Sequence, residues 1–168
     1  MGGVSASGDP HLRNINGQAF DVMHPGKYTL LAIPRRAYKE DRLLWVEALA
    51  LRSGASCADV YFKELNVTGT WAEATHTGGL HYQSGTLSGE SGSKWMSVGS
   101  VDMKVVHGHT PAGVDYLNFY VRHLGRTGLV VGGLLGVDDH TDAATPEGKC
   151  LNRVALQKAY YNTMHAYA

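Results

Sequence analysis

Apolar residues along this chain come in short runs broken by glycine, proline and small polar residues. That spacing predicts strands over most of its length. Gly26 to Ile33 (GKYTLLAI) is rich in β-branched and aromatic side chains and closes at Pro34, as a strand does. Arg42 to Leu51 (RLLWVEALAL) fits either period, and its strand neighbours and the Trp45-Val46 pair favour a pleated surface. Ala58 to Thr68 alternates in part, Lys94 to His107 (KWMSVGSVDMKVVH) predicts two strands about Gly99 or Ser100, and Asp115 to Arg122 is a further strand. Leu129 to Leu135 (LVVGGLL) has the composition of a buried strand around which the core gathers. Gly78 to Ser93, with isolated apolar residues among Gly, Ser and Thr, predicts hairpins with polar edges. From Asn152 to Ala168 the glycines vanish, and Val154, Ala155, Leu156, Ala159, Tyr160, Met164 and Tyr167 predict a C-terminal helix.

These elements describe one all-β domain over residues 1–168, an antiparallel β-sandwich with a helical extension over 152–168, and the length suffices for its core. The 21 scattered glycines fit tight turns between short strands. Fifteen basic and fifteen acidic side chains cancel, which removes the electrostatic footprint of a nucleic-acid binder or a polybasic membrane-surface protein. No apolar run is long enough to insert into a membrane, and Met1-Gly2-Gly3-Val4 has neither a basic region nor an apolar signal segment. A soluble chain, or one trimmed from a longer precursor, is expected.

Chemistry concentrates at Gly8-Asp9-Pro10-His11. The Asp9 carboxylate can reach its own carbonyl, and Pro10 supplies a relatively basic tertiary nitrogen as leaving group. Acyl transfer to an internal anhydride is therefore accessible there, with His11 as proton donor. The plain alternative is that Pro10 starts an edge strand and Asp9 caps a turn. Asp138, Asp139 and Asp142 form a carboxylate cluster whose hard oxygens suit Ca²⁺, although the register is not that of an EF-hand. His107 and His109 share a strand face and His76 and His81 flank a hairpin, but spacing fixes no third zinc ligand, and solvated histidines are the expected reading. Asn66-Val67-Thr68 is a glycosylation sequon. The chain carries no nucleophile elbow, P-loop or HExxH motif, so a conventional enzyme is not supported.

Three stretches in order, GDPH with NGQAFDV, GKYTLLAI, and GLVVGGLLGVDDHTDAATPEGKC, resemble the von Willebrand factor type D domain. The resemblance spans nearly the whole chain, with its strong motifs in the first third and from Val130 to Cys150. It implies a type D β-sandwich in which calcium is held between the late acidic loop and the early turn, where this chain has Asn16 in place of an Asp. It also implies self-cleavage at GDPH under mildly acidic conditions, which in one branch passes the acyl group to a polysaccharide. Gly132 and Leu135 stand where cysteine-rich members carry cysteines, so covalent multimerisation is not implied. Cys57 and Cys150 match no metal or redox spacing. Two buried thiols and one long-range disulfide both fit, and the secreted reading favours the disulfide.

The expected function is that of a non-enzymatic extracellular or lumenal module that contacts other proteins, stabilised by calcium at Asn16, Asp138, Asp139 and Asp142 and glycosylated at Asn66. The rival expectation is self-processing at Asp9-Pro10.

Overall fold

The computed structural model describes residues 3–8, 10–53, 59–85 and 94–146. Among them lie ten strands: β1 (Val4–Ser7), β2 (His11–Arg13), β3 (Ala19–Asp21), β4 (Gly26–Ile33), β5 (Leu44–Arg52), β6 (Val60–Thr68), β7 (Leu80–Gln83), β8 (Met96–Val98), β9 (Val101–His109) and β10 (Asp115–Arg122). Helix α1 (Thr70–Glu73) is a single turn. Every strand pairing is antiparallel. One sheet has six strands in the order β3-β2-β1-β10-β9-β8, and the other has four in the order β4-β5-β6-β7.

The alternation that was ambiguous in sequence is plain in β5. Leu44, Val46, Ala48 and Ala50 point into the core, while Trp45, Glu47 and Leu49 point outward. Phe62, Leu65 and Val67 of β6 meet Met103, Val105, Leu117, Phe119 and Val121 of the six-stranded sheet in one apolar cluster. Burial of these two inward faces is the main stabilising term, at roughly 25 cal/mol per Å² of apolar surface removed from water. The cluster gathers between the sheets, with Val131, Leu134 and Leu135 joining it from one side.

The expectation for Leu129 to Leu135 needs correction, because this segment is a loop whose one bridge to a strand joins Gly132 to Ala32. Gly133 adopts φ +89°, and a Cβ there would lie 2.5 Å from the Leu30 carbonyl oxygen, so the chain turns too tightly to continue as a strand. Leu129 and Val130 are exposed. The loop nonetheless covers the open edge of β4: Leu134 N–H donates to the Thr29 carbonyl (2.9 Å), Leu135 N–H to Leu30 (2.9 Å), and Ala32 and Gly132 exchange bonds of 3.0 and 2.8 Å. Such an edge, left open, is a template for pairing with another chain. The C-terminal helix expected over 152–168, the end of the 78–93 hairpin region beyond Gly85, and both cysteines lie outside the described residues.

Candidate functional site at the N-terminal turn

β1 sits in the middle of the six-stranded sheet, hydrogen-bonded to β10 on one side and β2 on the other. The turn that joins β1 to β2 is the Gly8 to Pro10 segment. Gly8 takes φ +69°, and its N–H donates to the Asn118 side-chain carbonyl of β10 at 2.8 Å. Pro10 is buried, and its carbonyl accepts from Val22 N–H at 2.9 Å. The chain is therefore pinned on both sides of the Asp9-Pro10 bond, although Asp9 itself lies outside the described residues.

His11 begins β2 directly opposite Asp21 of β3. Its Nδ1 lies 2.6 Å from Asp21 Oδ1, and both side chains are open to solvent at 61% and 41% exposure. The ring also lies close to the turn, since a Cβ on Gly8 would stand 3.7 Å from His11 Cδ2. The exposed imidazole and the carboxylate that orients it thus stand beside the turn. Asp21 appeared in the sequence within NGQAFDV, but its pairing with His11 depends on the β2-β3 register.

The early turn and the late acidic loop meet in space. Ile15 N–H donates to the Leu135 carbonyl (2.8 Å), Met23 N–H to Ala143 (2.9 Å), and His24 Nε2 to the Asp142 carbonyl (2.8 Å). The rings of Phe20 and His140 stack with centroids 3.8 Å apart. Asn14, the one buried polar side chain among the described residues, shapes the turn: its Oδ1 accepts from the N–H groups of Asn16 (3.1 Å) and Gln18 (2.9 Å). Spacing gave no reason to prefer Asn14 over Asn16, because burial separates them and composition does not.

As placed, the expected calcium donors do not fit a calcium cage of six to eight oxygens. Asp138 Oδ1 pairs with Arg35 Nε at 2.5 Å, and Oδ2 accepts from Gly133 N–H. Asp139 Oδ1 accepts from both the N–H (3.1 Å) and the hydroxyl (2.7 Å) of Thr141. Those two hydrogen bonds hold the Asp139 carboxyl below its ordinary range. Asn16 and Asp142 have exposed side chains. Among the described residues no group of three or more His, Cys, Asp or Glu side chains is placed to hold a metal ion. Arg35 adds an ion pair at Asp138 to the bonds that tie the acidic loop to the sandwich.

Of the remaining expected residues, Asn66 lies exposed on β6, its Oδ1 paired with His81 Nδ1 of β7. His107 and His109 share one face of β9. The outer face of the six-stranded sheet holds a cluster the sequence did not suggest. Arg122 lies 4.0 Å and Lys104 4.8 Å from the Trp95 ring centroid, and Lys104 is also 5.1 Å from Tyr120. No protein-family model matches the chain, and no curated protein matches it.

Proposed function

We propose that the chain is a β-sandwich module of the von Willebrand type D kind, working outside the cell or in a secretory lumen, whose N-terminal turn cleaves its own Asp9-Pro10 bond. The observation that carries the cleavage is the His11–Asp21 pair beside a turn pinned at Gly8 and Pro10. In the reaction, a carboxylate oxygen of Asp9 attacks that residue's carbonyl carbon and closes a five-membered anhydride. The C–N bond breaks, its electron pair goes to the Pro10 nitrogen, and the imidazolium of His11 supplies the proton. Water then opens the anhydride and leaves both carboxyl groups of Asp9. A polysaccharide hydroxyl in place of water would give an ester. Asp21 positions the ring.

Because β1 is held by β10 and β2, the nine-residue product stays seated in the sheet after cleavage. Incubation in mildly acidic buffer is expected to leave the native mass unchanged, while denaturing mass analysis resolves a large fragment beginning at Pro10. Asp9→Asn abolishes that fragment, and Asp21→Asn slows its appearance about ten- to a hundredfold. A wild-type chain that stays whole under denaturing conditions contradicts the proposal.

Contact with other proteins is the second activity in this reading, and the Trp95, Lys104, Tyr120 and Arg122 cluster supports it. Trp, Tyr and Arg are the residue types that dominate binding energy at interfaces. Trp95 is 37% exposed in a chain of zero formal net charge, which places no long-range repulsion between copies. Sedimentation across a concentration series is expected to show self-association that Trp95→Ala reduces. A parent chain that stays monomeric throughout removes the homotypic contact.

A further inference from the structure

We propose that the cavity between the early turn and the end of β10 binds a small amphipathic anion, an apolar chain ending in a carboxylate or phosphate. The cavity measures about 380 Å³, inside the range of roughly 300–1,000 Å³ usual for small-molecule sites. Its floor is apolar, formed by the buried Val4, Val121 and Leu124 and the half-buried Ile15. An apolar chain entering it withdraws its own surface from water.

The rest of the lining comes from Arg122, His123, Arg126 and two glycines, Gly3 and Gly125, so it carries two guanidinium groups. Asp102 offsets the Arg122 charge: its Oδ2 lies 3.1 Å from Arg122 Nε, and His123 Nε2 stands 3.3 Å from the same oxygen. Arg126 is exposed and has no ion-pair partner among the described residues. Among the described residues this guanidinium is therefore uncompensated beside an apolar floor, and its planar fork matches a carboxylate or phosphate head.

A left-handed residue places this charge. His123 takes φ +72° and ψ 21°, a conformation uncommon for residues other than Gly but one in which His, like Asn and Asp, is enriched. Its bend carries the chain from β10 directly into the 3₁₀ turn Leu124–Thr127, so that Leu124 faces the core while Arg126 stays at the mouth.

Titration calorimetry with four probes tests the site: octanoate, octyl phosphate, octanol and acetate. Octanoate or octyl phosphate is expected to bind at least about ten times more tightly than octanol or acetate, since neither the tail nor the head suffices alone. The tighter of the two anions identifies the head group. Arg126→Glu is expected to weaken the anion about tenfold or more while leaving the ligand-free melting temperature unchanged. Ile15→Trp, which fills the floor, is expected to weaken every probe that carries the tail. Octanol binding as tightly as both anions, an Arg126→Glu chain that binds like the parent, or no heat with any probe would overturn the proposal.

Discussion

Asp102 lies on the outer side of β9, where its carboxylate accepts from the Ser97 hydroxyl at 3.0 Å and from Arg122 Nε at 3.1 Å. The Ser97 bond first and the Arg122 bond second hold this carboxyl below its ordinary range. The folded chain therefore binds a proton at Asp102 less readily than the unfolded chain does. The stability this supplies is complete above the unfolded carboxyl pKa of about 3.9, and it is lost as pH falls through the lower folded value. Melting temperatures measured from neutral pH down into that acid range are expected to fall less steeply for Asp102→Asn than for the parent, from a lower neutral starting point. Curves that run parallel would remove Asp102 from the acid response. Such pairings were hidden in the sequence: Ser97 and Asp102 are near neighbours, but Arg122 joins them only through the β9-β10 register. Asn14 was equally hidden, because an asparagine that shapes a turn and one that faces solvent have the same composition.

The strands were legible where their residues alternate or where turn residues bound them. Gly26–Ile33 and Asp115–Arg122 run as their composition suggested, and β8 and β9 meet about Gly99 and Ser100. LVVGGLL misled because a run of apolar residues signals burial without fixing conformation, and Gly133 at positive φ breaks the extension. This loop is held to the edge of β4 by backbone bonds and by the Arg35–Asp138 pair. Both of those side chains are about one-third exposed, so solvent screens the pair. Arg35→Ala is expected to cost roughly 1 kcal/mol in denaturant unfolding and to speed hydrogen exchange at the Leu134 and Leu135 amides. A chelator is expected to leave the melting temperature of the parent unchanged, since Arg35 already occupies Asp138. A chelator-induced fall in melting temperature, with no effect of Arg35→Ala, would make a bound cation the loop's anchor.

Two antiparallel sheets enclose one core, and the early turn and the late loop close the same side of it although more than a hundred residues separate them in sequence. The sandwich class was legible from short strands and scattered glycines, but composition could not give the strand order or the way the closing segments meet. The resemblance implied that calcium joins them. In the structure they are joined by the Ile15–Leu135 and Met23–Ala143 backbone bonds, the His24 to Asp142 bond and the Phe20–His140 stack. The proposed cleavage at the β1-β2 turn and the proposed anion cavity both depend on this closure, since Val22 pins Pro10 on one side of it and Ile15 lines the cavity on the other. Nuclear Overhauser contacts between the ring protons of Phe20 and those of His140 in the parent chain report the closure directly. Strong cross-peaks are expected, matching centroids 3.8 Å apart; assigned rings that show none, in a chain whose sheets are otherwise intact, would contradict the closure.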